Sequence, residues 1–338
     1  MTGRTAARIE GIDLLRGLAV GLVVLRHAFP DVFPGAGVVG VVVFFALSGH
    51  LITGLLVDEV GRTGRIDLRR FYLRRARRLV PPLLVLVAGV VLVTLALDPI
   101  GDRDRLGDTV LVALTWTADL PLGDPSDATF HLWTLALEEQ FYLVWPALLL
   151  LAVPRRRTGL LLVAAAGACL LACVATVVWL REDPDLAYAL PTSWAVCFVV
   201  GAASRLHADR LRLPSWTVPA ALAGLGVLAV VPLRGHALTY LAGGPAIALL
   251  TAVVLSSWRT WSTVDSPALR PLVLLGTVSY AAYLWNYPLT VWLRPHTDLA
   301  GPLAAVLTLL AAALSWRYVE APLQRRDRAA RARTAVAA

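Results

Sequence analysis

Lysine is absent from this 338-residue chain, methionine occurs once, cysteine three times, and only 16% of the residues are charged. Soluble domains carry about a quarter charged residues, so the deficit argues against an ordinary water-soluble fold. Long linkers and low-complexity runs are also missing, and the sequence reads as one membrane domain over 1–338 with no soluble extension beyond a short basic tail. No cleavable leader is apparent, because the first apolar segment leads almost directly into the second. Cys169, Cys173 and Cys197 have no metal-type histidine neighbours, so they read as small packing residues and no metal site is expected. A G-x-S-x-G elbow is lacking too, which leaves no serine nucleophile of that kind.

What is present is apolar: 58% of the residues are hydrophobic. Ten segments approach the ~20 residues that a helix needs to cross a bilayer. They run over 12–29, 38–57, 79–97, 132–153, 159–180, 186–204, 218–233, 238–258, 272–293 and 302–318. The expected fold is therefore an all-α integral membrane protein, a bundle of about ten transmembrane helices. Arginine-rich loops stay in the cytoplasm. With the N-terminus inside, 23 of the 31 basic residues fall on inner segments, against five outside, Arg103, Arg105, Arg181, Arg234 and Arg294. Both termini are then cytoplasmic, and the protein is expected as a multi-pass protein of the cell inner (cytoplasmic) membrane. A pI near 10.0 reads as this bias and not as a nucleic-acid surface.

An ionisable residue inside a span costs about 2.5–3.5 kcal/mol at the helix centre, so each is a functional candidate by default. Arg16 and His27 lie eleven residues apart on the first helix, three turns plus about 20°, which places them on one face roughly 16 Å apart. The alternative is a snorkelling arginine and an interfacial histidine. In the fourth segment His131, Glu138, Tyr142 and Trp145 share a polar and aromatic face. His27 and Glu138 are expected at similar depth, where a carboxylate can orient an imidazole and raise its basicity. The alternative there is acidic residues favoured by a helix N-terminus. Arg69, Arg70, Arg74, Arg75, Arg77 and Arg78 precede Pro81 and Pro82. They suit phosphate groups by charge-assisted hydrogen bonds, although the positive-inside rule alone explains many of them.

Several blocks resemble, in order, the membrane acyltransferase-3 family of bacterial integral-membrane O-acyltransferases. IEGIDLLRGLAVGLVVLRH is similar to its first helix, with Arg16 and His27 at the matching positions. GVVVFFALSGHLIT resembles its second-helix signature, and FYLRRARRLVPP its Arg-x-x-Arg stretch at Arg75 and Arg78. FHLWTLALEEQFYLVWP places the family's glutamate on Glu138. LGTVSYAAYLWNYPL, with Tyr283 and Asn286, resembles the penultimate helix, and YVEAPL, with Glu320, the last. The chain departs from the family pattern at Val42, usually acidic, at His50, usually large and apolar, and at Asn286, usually histidine.

The resemblance implies O-acyl transfer from cytoplasmic acyl-CoA, acetyl-CoA in the first instance, to a hydroxyl of a glycan, cell-envelope or glycosylated small-molecule acceptor. No tightly bound cofactor is expected. His27 and Glu138 are the expected catalytic residues, Arg16, Arg75 and Arg78 the donor site, and His131, Tyr142, Tyr283 and Asn286 the substrate contacts. Direct attack by the acceptor, with His27 as base, is the preferred route, and an acyl-imidazole intermediate stays open. A proton-coupled transporter or flippase would use the same intramembrane groups, but its inverted repeats are not visible.

Overall fold

The computed structural model describes residues 9–208, 210 and 213–325; Arg4, Arg8, Arg212 and the arginines of 326–338, which entered the orientation argument, lie outside them. Among the described residues all regular structure is helical. The helices are α1 (Glu10–Ala28), α2 (Ala36–Thr63), α3 (Leu68–Ala96), α4 (Leu106–Thr115), α5 (Trp133–Ala152) and α6 (Thr158–Trp179). They continue with α7 (Pro191–Leu206), α8 (Thr217–Ala229), α9 (Gly244–Trp258), α10 (Arg270–Thr277), α11 (Ser279–Leu293) and α12 (Ala300–Ser315).

Six of these, α2, α3, α5, α6, α9 and α12 with their adjoining turns, are long and apolar enough to cross a membrane. Each of the ten expected segments falls on a helix, but four miss that standard for physical reasons. The first, α1, carries Glu10, Asp13, Arg16 and Arg26. Helices α7 and α8 have 16 and 13 residues, and the ninth segment breaks at Val278 into α10 and α11. On α3, α6 and α12 leucines such as Leu92, Leu171 and Leu310 point outward. Leaving each in water would forgo about 1.5–3 kcal/mol, a cost that disappears in hydrocarbon. The chain is a multi-pass membrane protein.

Helix α2 runs through the centre, and Val39, Val42, Phe45 and Ala46 are fully buried. Small residues let it approach its neighbours, as packing in lipid favours. A Cβ on Gly49 would strike the Phe198 carbonyl of α7, and one on Gly201 the Ala46 carbonyl of α2. The crossing of α1 with α10 is built the same way: a Cβ on Gly17 would strike the Leu272 carbonyl, and one on Gly276 the Asp13 carbonyl. Glu10 pins the start of α1, accepting from Val264 N–H and pairing with Arg270, both at 2.8 Å. These contacts fix where Arg16 and His27 sit.

The 98–129 stretch, between the third and fourth apolar segments, contains α4, which ends at Trp116 in a left-handed conformation (φ 57°). It then folds back along α5, where Asp119 Oδ2 accepts from Gln140 Nε2 at 2.7 Å. Burial pushes the Asp119 carboxyl above the usual range, and the Gln140 hydrogen bond partly offsets this. Cys169, Cys173 and Cys197 are free thiols, as expected. His50 is buried between α2 and α7, bonded to Ser204 Oγ at 2.8 Å, a packing position.

Candidate active site

A cavity of about 330 Å³ lies among α1, α2, α3, α5 and α11. Arg16, Arg75, Arg78, Glu138, Tyr142 and Tyr283, all singled out from sequence, line it. Its opposite wall is apolar and comes from α2, including Phe44, Leu47, Leu51 and Leu55. A broader, open hollow of about 620 Å³ beside Trp316, Tyr318 and Arg325 contains none of the expected site residues.

Arg16 projects from the second turn of α1, while Arg75 and Arg78 are one turn apart on α3, so three guanidiniums share the cavity. The Arg75 guanidinium sits over the Tyr142 ring, 3.3 Å from its centroid, and its buried Nε has no hydrogen-bond partner among the described residues. Glu138 is held by Tyr142 OH, one turn further along α5, at 2.8 Å, and by Ser48 Oγ of α2 at 3.1 Å. Glu320, buried on the π-helical turn Trp316–Glu320, lies within charge range of Arg78 and Arg16. Asp13, one turn before Arg16, and Glu139 beside Glu138 also lie within charge range of these arginines, so three guanidiniums and four carboxylates surround the cavity.

His27 belongs to a second cluster. It sits in the last turn of α1, and its Nδ1 is 2.5 Å from Asn286 Oδ1 on α11. Asn286 Nδ2 in turn donates to Thr308 Oγ1 on α12 at 3.1 Å. Tyr287 packs edge-on against His27, with ring centroids 5.2 Å apart, and lies 5.4 Å from the ring of His131. His131 Nε2 is 3.0 Å from the Leu284 carbonyl, which can only accept, so that nitrogen carries the proton. Its Nδ1 then holds a lone pair, buried and without a partner among the described residues.

The clusters meet at Tyr283 and Thr134. Their hydroxyls are 2.6 Å apart, both reach the His131 carbonyl at 3.1 Å, and both line the cavity. The direct contact between His27 and Glu138 expected from their depth is not made: Glu138 turns towards α2 and α3, whereas the end of α1 meets α11. Ser48 and Thr308 were not anticipated. Ser48 is one of three polar residues in the second-helix block, with His50 and Thr53, a signal that could have found it. Thr308 stands in a plain apolar run, where nothing marks it.

A model described as "Acyltransferase domain" matches residues 9–318. The chain is 29% identical, over 94% of its length, to the peptidoglycan O-acetyltransferase OatA of Listeria monocytogenes, of which the match covers 56%. It is 29% identical to the putative peptidoglycan O-acetyltransferase YrhL of Bacillus subtilis, with 94% and 55% covered. It is 27% identical to the O-acetyltransferase OatA of Staphylococcus aureus, with 94% and 57% covered. The chain thus spans little more than half the length of these relatives. No solved structure matches it.

Proposed function

From the premise that the chain belongs to the acyltransferase family whose model it matches, we propose that it is a membrane O-acyltransferase acting on a cell-envelope glycan. The donor in this reading is acyl-CoA, with acetyl-CoA the first to try. The observation that carries it is the cavity in which Arg16, Arg75 and Arg78 converge, joined to His27 by the single helix α1. The guanidiniums suit the diphosphate and 3′-phosphate of coenzyme A. About 16 Å of helix separates Arg16 from His27, a distance that a pantetheine arm spans. To reach His27 the thioester passes Tyr283 and Thr134, so the Tyr283 side chain yields during turnover.

His27 Nε2 takes the proton of the acceptor hydroxyl as its oxygen attacks the thioester carbonyl. The tetrahedral intermediate collapses with loss of the thiolate, which recovers that proton from the imidazolium. Glu138 acts from the donor side, holding Arg75 and Tyr142 in place and balancing the cations when the phosphates leave. The acceptor approaches the end of the bundle that holds His27. There Phe130, Tyr188 and Tyr287 surround an Arg234–Asp185 pair with two hydrogen bonds of 2.8 Å. Two of the relatives are named as peptidoglycan O-acetyltransferases, one of them putative, and this supports peptidoglycan as the first acceptor to test. About ten spans with both termini cytoplasmic, in the cytoplasmic membrane, would put donor and acceptor on opposite faces.

The test is acyl transfer from labelled acetyl-CoA to peptidoglycan fragments by the purified protein, compared with His27→Ala. Loss of transfer in a variant that still elutes as folded protein is expected, with a fall of about 10²–10⁴-fold for a missing base. Near-normal turnover in that variant would remove His27 from the chemistry.

A further inference from the structure

We propose that Thr308 is a positioning residue that sets the tautomer of His27, and so decides which ring nitrogen serves as the base; the inference rests on the reading of His27 given above. Thr308 Oγ1 lies 2.6 Å from the Ala304 carbonyl, one turn earlier in α12. Two oxygens so close need a hydrogen between them, and a carbonyl has none to give. The hydroxyl hydrogen of Thr308 is thereby committed to Ala304.

Everything else follows by elimination. With its hydrogen spent, Thr308 Oγ1 offers lone pairs alone, so the Asn286 atom 3.1 Å away is the donating Nδ2. That fixes the amide, whose two ends would otherwise be interchangeable in shape. Asn286 Oδ1 is then the atom facing His27, and an oxygen without hydrogen requires Nδ1 of His27 to carry the proton. Nε2 retains the lone pair and has no hydrogen-bond partner among the described residues. Thr308 and Asn286 are 0% and 1% exposed, so water does not substitute for either contact. The relay runs from a backbone carbonyl through a hydroxyl and an amide to an imidazole, and each link admits one polarity.

Removing the hydroxyl breaks that polarity without removing any group that touches the imidazole. In Thr308→Val the buried Asn286 Nδ2 has no acceptor. The amide gains nothing from its native orientation and turns over in part of the population. Where it has turned, Nδ2 faces Nδ1 and the proton moves to Nε2, which then cannot accept one from the acceptor hydroxyl. Thr308→Ser keeps the hydroxyl and serves as the conservative control. Asn286→Asp presents only oxygens to His27, so it holds the proton on Nδ1 whatever stands at 308.

The experiment uses full-length protein in detergent, labelled with ¹⁵N in the histidine rings, with His27 assigned by its loss in His27→Gln. Wild type and Thr308→Ser are expected to show a protonated Nδ1 and an unprotonated Nε2, and Thr308→Val a mixture. In the transfer assay Thr308→Val should lose about 10- to 100-fold in kcat at constant donor KM, short of the full effect of a wrongly held base. Adding Thr308→Val to Asn286→Asp should leave kcat where Asn286→Asp alone puts it. An unchanged Nδ1-protonated signal in Thr308→Val overturns the proposal, even if activity falls. A free role for His27 in catalysis is judged separately, by His27→Ala.

Discussion

At the residue scale the strongest prediction concerns the proposed donor site. If Arg75 and Arg78 hold the donor's phosphates, changing both to alanine weakens donor binding with little effect on the chemical step, which is a loss of uniform binding. Each charge-assisted contact is worth roughly 1.5–3 kcal/mol, so the apparent donor constant should rise by about two to four orders of magnitude. Arg62 and Arg65 form the control, because both are exposed and Arg62 bonds only to the Asp58 carbonyl of its own helix. Calorimetric titration of coenzyme A into the two double variants and the parent separates a binding cluster from one that marks the cytoplasmic side. Tyr142→Phe tests the hydrogen bonds around Glu138: it removes one of two to the carboxylate, and with it the 2.8 Å contact between the Tyr142 and Ser48 hydroxyls, while leaving the ring under Arg75. A drop of about tenfold in kcat/KM is expected for the loss of one such bond to a charged group, and no change would detach Glu138 from the reaction. Arg16, His27, His131 and Glu138 were legible in the sequence because ionisable groups in or beside an apolar run identify themselves, and Tyr142 followed from helical spacing; Arg75 and Arg78 stood out in a dense arginine cluster, and Tyr283 and Asn286 only through the family resemblance. Their division into two clusters was not legible, since it depends on which way α5 turns about its axis. Ser48 and Thr308 escaped notice because a hydroxyl in a span bonds readily to its own helix and costs little.

At the element scale the ten apolar segments were visible from hydropathy, and every one is helical. The break at Val278 was hidden, because 272–293 carries no charged residue and periodicity does not register a change of axis. The structure of 98–129 was hidden for the opposite reason, its polar and apolar residues being mixed over turns too short for a period. Asp119 gives that segment a measurable handle. Its carboxyl titrates above its unfolded value, so ionisation works against folding, and the penalty appears as pH rises through the unfolded value and is complete above the folded one. Asp119→Asn is therefore expected to raise the apparent Tm in detergent at pH 8 and to have little effect near pH 3; equal shifts at both pH values would deny the carboxyl this role. The crossing of α1 with α10 is tested by Gly276→Leu, which drives a side chain into the Asp13 backbone. Overpacking costs typically 1–3 kcal/mol even where side chains give way, and backbone gives less, so a lower Tm should accompany loss of donor binding.

At the scale of the whole molecule, the two faces can be assigned by labelling. After the native cysteines are replaced, a cysteine at exposed Asp124 should react with an impermeant maleimide on intact cells, and one at exposed Arg70 only after permeabilisation. The reverse pattern would invert the bundle. The proposed donor anchor, Arg16, and the proposed base, His27, ride on one uninterrupted helix whose start is pinned by Glu10 and whose flank is locked by Gly17, and this gives the protein a rotational phase as well as a length. One alanine inserted between Arg16 and His27 advances the imidazole by only about 1.5 Å but swings it through about 100°, away from Asn286. Four inserted alanines return it to within about 40° of its original bearing while carrying it roughly 6 Å further out. An insertion series would therefore read out as a periodic function of residue number with a pitch of one helical turn, declining with reach. Two residues related in this way behave as marks on a single threaded rod, and neither can be repositioned by evolution without turning the other.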